Sequence, residues 1–400
     1  MRIISSLMDQ LKDFIRRLRT FIIRNIMKIN FRPYFKPTIV FESFGGRQVS
    51  DSPYAIYEQL KDNPKVNCIW SIKLDQKHYC EQHHIPYAIR RSLKWVLAME
   101  KARAWVINTR VPKWIRKPEF TYYVQTWHGT PLKKLGLDIK NVTMPNTTTE
   151  KYHQNFVLET HRWDALVSAN DYSNKIFKSA FNYQQKFLEV GYPRNDKLIN
   201  SNADDIMKLK MKLGIPLEKK VVMYAPTYRD NSFAEKGKYL FQMPFSIDKL
   251  LEKIGEDTVL ILRMHYLIVG QLDLSKYNDK VLDFSQYHDI SDLYLVSDLL
   301  ITDYSSVFFD YAYLKRPIIF FPYDYNEYKD ELRGFYLNYE KDLPGEIAWN
   351  EDQLLALTKK ELWQKKITSN KLEEFYQKFC SLHSGKSAEY VAKDILKVIS

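Results

Sequence analysis

Residues 299–315, LLITDYSSVFFDYAYLK, hold an apolar run, a polar turn and the start of an apolar helix in direct succession. Leu299-Leu300-Ile301 is bulky and uninterrupted, as a strand buried on both faces requires. Thr302-Asp303-Tyr304 turns the chain, and Ser305-Ser306 then lead into Val307-Phe308-Phe309. A strand, a short turn and a helix in that order form one unit of a parallel α/β sheet.

The same rhythm extends in both directions. RPIIFFPY (316–323) follows, and KKVVMYAPTY (219–228), TVLILRMH (258–265) and KVLDFS (280–285) precede it, all with helical stretches between. An earlier series runs through PTIVFESF (37–44), VNCIWSI (66–72), ARAWVIN (102–108), YYVQTW (122–127), WDALVSA (163–169) and KFLEVG (186–191). Asp51-Ser52-Pro53 supply cap and first-turn residues for a helix after the first of these. Gly191-Tyr192-Pro193-Arg194-Asn195-Asp196 and the Lys-rich 207–220 region read as a helix and connector between the two series. The chain is therefore expected to form two open, doubly wound α/β lobes, with ligands at the carboxyl ends of the strands in a shared cleft.

A length of 400 residues accommodates two such domains and a short extension. A net charge of +12 on a chain that is 45% hydrophobic describes a globular body that meets something anionic: nucleic acid, a nucleotide-linked substrate or an acidic membrane face. The three cysteines, Cys68, Cys80 and Cys380, are odd in number and widely spaced, which fits reduced thiols in a cytoplasmic protein. His78, Cys80, His83 and His84 lack the paired spacing of a structural zinc site and read as a solvated helix-to-strand connection.

The first thirty residues are organised differently. Ile4, Leu7, Met8, Leu11, Phe14, Ile15, Leu18, Phe21, Ile22 and Ile26 recur at three- and four-residue steps, while Lys12, Arg16, Arg17, Arg19, Arg24 and Lys28 lie mostly off that stripe. The arginines exclude a signal-peptide core, and no apolar run reaches the roughly 20 residues that span a bilayer. Two readings fit: an interfacial helix on anionic lipid, which the basicity favours, or a helix packed on the protein's own body.

Four strand ends carry chemistry. QTWHGTPLKKLG (125–136) places His128 at the end of a strand, just before Pro131 and two lysines. Its near-neutral pKa suits it to take a proton from an alcohol, although a histidine in a turn serves equally as a simple hydrogen-bonding group. Arg263 and His265 alternate at another strand end and so share a face, a pairing suited to phosphate oxygens, and Arg229 is a third strand-end cation. Thr302, Asp303, Ser305 and Ser306 surround a helix start that can receive a diphosphate, unless Ser306 is a plain N-cap. Asp310, about one turn on, is placed either to reach a ribose hydroxyl or to face solvent.

FESFGGRQVSDSPYAIYEQL, QTWHGTPLKKLG, GYPRND, YAPTYRD, LRMHY and ITDYSSVFFDYAYLKRPIIFFPYD occur in that order over most of residues 37–345. Together they resemble the CDP-glycerol glycerophosphotransferases of wall teichoic acid synthesis, with their primase, extending and polymerase members. The resemblance implies a GT-B fold of two Rossmann-like lobes. An acceptor-side lobe would span 31–205 and a CDP-donor-binding lobe 206–370, with a basic amphipathic membrane-surface helix at 1–30 and a helical segment at 371–400.

It further implies that His128 and His265 are the two histidines required for transfer, and that the donor is met by Arg229, Arg263, Thr302, Asp303, Ser305, Ser306 and Asp310. Trp127, Gly129, Thr130 and Lys133 would flank the acceptor. The reaction would move glycerol phosphate from CDP-glycerol to an undecaprenyl-diphosphate-linked saccharide or primer on the cytoplasmic side of the membrane, releasing CMP. No cofactor is implied, and no Asp-x-Asp motif calls for a metal.

Two alternatives stand beside this reading: a CDP-ribitol-using or capsule-type polyol-phosphate polymerase on the same fold, and a non-catalytic membrane or nucleic-acid-binding protein. Nucleic acid is not the expected partner, because the aromatics fall in strands and helix stripes instead of alternating with basic residues on an exposed face.

Overall fold

The computed structural model describes residues 31–142, 147–227, 243–264, 273–326, 334–363 and 370–400, with most of 11–29 and the strand pair at 233–239. Two parallel sheets organise it. The first lobe contains β1 (Thr38–Glu42), β2 (Asn67–Ile72), β3 (Tyr87–Ile89), β4 (Ala104–Ile107), β5 (Tyr122–Gln125), β6 (Ala165–Ser168) and β7 (Lys186–Glu189), in the spatial order β3-β2-β1-β4-β5-β6-β7. The second contains β8 (Lys220–Ala225), β11 (Thr258–Leu262), β12 (Val281–Asp283), β13 (Leu299–Thr302), β14 (Ile318–Phe320) and β15 (Glu346–Ile347), in the order β12-β11-β8-β13-β14-β15. A small antiparallel pair, β9 (Phe233–Glu235) and β10 (Lys238–Tyr239), lies between β8 and β11 in the chain.

Each expected strand is present, and β3, β15 and the β9–β10 pair are additions too short to announce themselves by composition. β1, β4, β5, β6, β11 and β13 are buried along their whole length, which explains their continuous apolar sequences. Four apolar clusters cover the two faces of the two sheets.

In both sheets the strand order reverses once: β1 pairs with β2 on one side and β4 on the other, and β8 lies between β11 and β13. Such a reversal opens a crevice beyond the carboxyl ends of the two strands that flank it. The first crevice is bounded by Ser43-Phe44 and Asn108-Thr109-Arg110, the second by Pro226-Thr227 and Asp303–Ser306.

The last thirty residues do not form a separate unit. Helix Asn370–Phe379 buries Leu372, Phe375 and Phe379 in the second lobe, whereas helix Ser387–Ile399 buries Val391, Ala392, Ile395 and Ile399 in the first. Asp196 fixes this crossing by accepting hydrogen bonds from the Ser387 and Ala388 amides at 2.9 and 2.8 Å and meeting His383 Nε2 at 2.7 Å.

The described residues between 11 and 26 are helical. Ile23 and Met27 are buried in the first lobe, while Leu11, Phe14, Ile15, Leu18, Phe21 and Ile22 are exposed. Among the described residues, no helix is long and apolar enough to cross a membrane. Cys68, Cys80 and Cys380 are buried free thiols. The histidine-rich connection also stays clear of the cleft: Cys80 faces the core and the His83 ring stacks on Tyr79 at 4.1 Å.

Candidate active site

The segment after β5 carries His128 from one crevice to the other. At Trp127 the backbone adopts φ 50, an unfavourable conformation for a bulky residue, and the indole packs into the first-lobe core against Phe181 at 4.7 Å. Phe44 (φ 49) and Asp51 (φ 64) are also left-handed and also face His128. Strained backbone is thus concentrated around one imidazole.

His128 Nδ1 lies 2.7 Å from the Asn108 carbonyl oxygen. A carbonyl only accepts, so Nδ1 carries the proton and Nε2 is left as an acceptor. Burial among the cleft walls pushes the imidazole pKa below its ordinary value. Arg194 and Arg110 push the same way, and the Asn108 hydrogen bond and Asp51 oppose them. By surface area the residue is nonetheless exposed, because one side opens to the cleft. A neutral imidazole with an open acceptor nitrogen is what proton removal from a hydroxyl requires.

Past His128 the chain docks on the second lobe. Leu132 is buried in that lobe's core, a contribution of about 2 kcal/mol for a leucine removed from water. The Lys134 amide donates to the Gly334 carbonyl at 3.0 Å, and Lys133 bridges Phe335. The Tyr336 amide donates to the Leu132 carbonyl at 2.9 Å. Gly136 closes the segment at φ 55, where a Cβ would stand 1.9 Å from the Ala180 carbonyl oxygen.

Residues 127–133 and 135, Pro226, Thr227 and Tyr304–Ser306 line one cleft of about 380 Å³. Gly129 faces Ser306 so closely that an added Cβ would lie 2.8 Å from its Oγ. Trp127, His128, Gly129, Thr130, Lys133, Ser305 and Ser306 therefore line one cleft.

Other expected contacts are placed differently. Thr302 Oγ1 donates to the Ala225 carbonyl at 2.7 Å, so its hydroxyl ties β13 to β8. Asp303 is buried and accepts the Thr227 amide at 2.7 Å, shaping the cleft wall. Arg263 Nη1 donates to the carbonyls of Phe284 and Ser285 at 2.7 and 2.5 Å, and Arg263 does not line the His128 cleft.

Asp310 is neither solvated nor turned to a ligand. Arg194 Nη2 donates to both of its oxygens at 3.1 Å, and Asn195 Nδ2 donates to Oδ1 at 2.7 Å. The helix after the serine pair is only Val307–Tyr311, and Ser306 makes no side-chain cap. Arg229 and His265 lie outside the described residues.

The sequence places Arg194 in the connector between the two series. It is buried over the Tyr192 ring at 4.4 Å and pairs with Asp310 of the second lobe and Asp51 of the first, at 3.1 and 3.5 Å. Burial opposes its charge, but the two carboxylates outweigh burial and raise its pKa.

A cleft between two facing α/β lobes, with a proton acceptor on one wall and hydroxyls on the other, is the layout of a two-substrate transferase. The chain belongs to the CDP-glycerol:poly(glycerophosphate) glycerophosphotransferase family, whose model matches residues 26–397. It is 48% identical over 394 residues to the teichoic acid glycerol-phosphate transferase of Staphylococcus aureus (strain NCTC 8325 / PS 47), a match covering 97% of this chain and 100% of that one. It is 46% identical over 367 residues to the teichoic acid poly(glycerol phosphate) polymerase of Bacillus subtilis (strain 168), covering 91% of this chain and 49% of that protein.

The solved wall teichoic acid polymerase TagF superposes with a TM-score of 0.88 at 44% identity, over 99% of this chain and 97% of that chain. A histidine-to-asparagine variant of TagF soaked with CDPG gives the same TM-score at 43% identity, with the same coverage.

Proposed function

We propose that the protein transfers glycerol phosphate from CDP-glycerol to a hydroxyl of an undecaprenyl-diphosphate-linked saccharide or teichoic acid primer, releasing CMP, on a GT-B framework. The observation that carries this is His128, fixed as a proton acceptor by Asn108 on one side of a cleft whose other side is the Ser305-Ser306 turn.

The acceptor hydroxyl meets His128 Nε2 and attacks the phosphorus bonded to glycerol. The proton passes to the imidazole, the bond from that phosphorus to the bridging oxygen breaks, and CMP departs with the electron pair. Negative charge grows on the leaving phosphate, where the Ser305 and Ser306 hydroxyls and the proposed donor-side cations Arg229 and His265 stabilise it. Thr302 and Asp303 act at one remove by holding β13 and the Thr227 turn.

The proposal includes a peripheral position on the cytoplasmic face of the membrane, with the exposed apolar face of the N-terminal helix in lipid. The test supplies the purified full chain with CDP-glycerol or CDP-ribitol and a synthetic lipid-diphosphate disaccharide, and follows CMP release and product mass. His128→Ala and His265→Ala are each expected to lower turnover by at least about a hundredfold while unfolding as the parent does, since neither removes a large apolar side chain. Near-normal turnover in either variant removes the proposed mechanism, and preference for CDP-ribitol moves the assignment to the ribitol branch.

A further inference from the structure

Beside the cleft, the first lobe has a larger cavity of about 1130 Å³ that shares Trp127, His128 and Leu135 with it. Seven of its lining residues are lysine or arginine and two are carboxylates, so the wall is strongly positive. Three of these cations are already paired: Arg90 with Glu42 at 3.0 Å, Lys117 with Asp164 at 2.9 Å and Arg162 with Glu159 at 2.9 Å.

Arg110 has no ion pair among the described residues. Its guanidinium lies over Phe156 at 4.5 Å and Tyr152 at 5.5 Å, a support that fixes its plane and leaves its N–H edge unused. Arg162 and Thr109 belong to the same wall, and Arg162 Nε and Nη2 and Thr109 Oγ1 are buried polar atoms without a hydrogen-bond partner. An oxyanion is the group that several guanidinium and hydroxyl donors jointly satisfy.

The tripeptide Asn108-Thr109-Arg110 connects this wall to the reacting centre. Asn108 orients the His128 ring, and the next two residues face the basic cavity. Only three carbons separate the terminal hydroxyl of a glycerol phosphate unit from its phosphorus-bearing oxygen, so one short unit can place its hydroxyl at His128 and its phosphate in this cavity. Building on the glycerophosphotransfer reading, we propose that Arg110, Arg162 and Thr109 form a phosphate-binding subsite for the acceptor, which presents the attacking hydroxyl to His128. The phosphate is either that of a preceding glycerol phosphate unit or the diphosphate of the lipid carrier.

Three synthetic acceptors distinguish these sources: a lipid-diphosphate disaccharide, the same molecule extended by one glycerol phosphate, and a soluble disaccharide bearing glycerol phosphate without the lipid diphosphate. Arg110→Gln is expected to raise the acceptor KM about tenfold, with kcat and the CDP-glycerol KM within about twofold of the parent, and Arg110→Lys to recover part of the loss. A penalty on the two glycerol phosphate acceptors alone assigns the subsite to the preceding unit, and a penalty on the two lipid-diphosphate acceptors alone assigns it to the carrier. An unchanged KM for all three, or a rise in the CDP-glycerol KM instead, overturns the proposal.

Calorimetric binding of a glycerol phosphate trimer and of inorganic pyrophosphate, to the parent and to Arg110→Gln, supplies a readout independent of turnover. If the parent releases no CMP with any acceptor, the glycerophosphotransfer reading fails, and the subsite stands or falls on whether either probe binds the parent and loses affinity about tenfold in the variant. Binding of neither probe overturns it.

Discussion

His128 combines two requirements that usually conflict, being open to a substrate and poorly able to hold a proton. Its Nδ1 proton is committed to Asn108, and burial, Arg194 and Arg110 disfavour the imidazolium against the opposing pull of the Asn108 hydrogen bond and Asp51. A depressed pKa means that the neutral base persists to lower pH than an ordinary histidine with its value of 6.5. The acid limb of kcat/KM is therefore expected below pH 6.5, and Arg110→Gln, which removes one of the depressing charges, moves that limb upward. A pH–rate profile on the full chain from about pH 5 to about pH 8 checks both, and a limb at or above 6.5 in the parent contradicts this account of the base. His128 was legible in the sequence because it stands at a strand end beside Gly129 and Pro131. Asn108, Arg110 and Arg194 were not, because their roles arise from contacts between segments distant in the chain, which leave no local pattern. Thr302 and Asp303 were recognisable as turn residues, but only the folded chain shows that their polar atoms hold neighbouring strands.

At the scale of elements, the lobes are joined by polar groups that lie away from water. Arg194 follows β7, Asp51 opens the helix Asp51–Leu60 after β1, and Asp310 lies in the helix Val307–Tyr311 after β13, so one guanidinium connects three elements. Removing one member of a buried ionic cluster leaves uncompensated charge and costs about 3–5 kcal/mol, whereas replacing the pair with apolar groups costs less. Arg194→Met is expected to lose roughly that amount in urea unfolding, and Arg194→Met combined with Asp310→Leu to recover part of it. Equal losses in the single and double variants contradict a coupled clasp. The shortness of the Val307–Tyr311 helix has a local cause that the sequence reading did not use: it tightens into a 3-10 turn, Lys315 adopts φ 49, and Pro317 disfavours helical backbone at Arg316. The division of residues 370–399 between lobes was not visible, since two amphipathic helices in sequence do not reveal which sheet each one covers.

For the whole molecule, the N-terminal helix packs on the body at one end and leaves an apolar face uncovered along the rest of its described length. Ile23 and Met27 are buried in the first lobe and fix the helix to the body, while Leu11, Phe14, Ile15, Leu18, Phe21 and Ile22 stay in water. Six large apolar side chains along one short helix form a surface that soluble monomers rarely leave uncovered, and the net charge of +12 adds attraction to an anionic bilayer. Each basic residue near such a surface contributes on the order of 1 kcal/mol, and salt screens that contribution. The informative truncation ends at residue 22, because a cut at residue 30 would also remove Ile23 and Met27 from the core and confuse loss of binding with loss of stability. The full chain is expected to float with vesicles containing about a third anionic lipid, and to do so less as salt rises from about 0.05 to about 0.5 M. Deletion of residues 2–22 is expected to abolish flotation while CMP release with a soluble glycerol phosphate acceptor stays within about twofold of the parent. Undiminished flotation after the deletion assigns membrane contact to another surface, and a loss of soluble-acceptor turnover shows instead that the helix supports the first lobe.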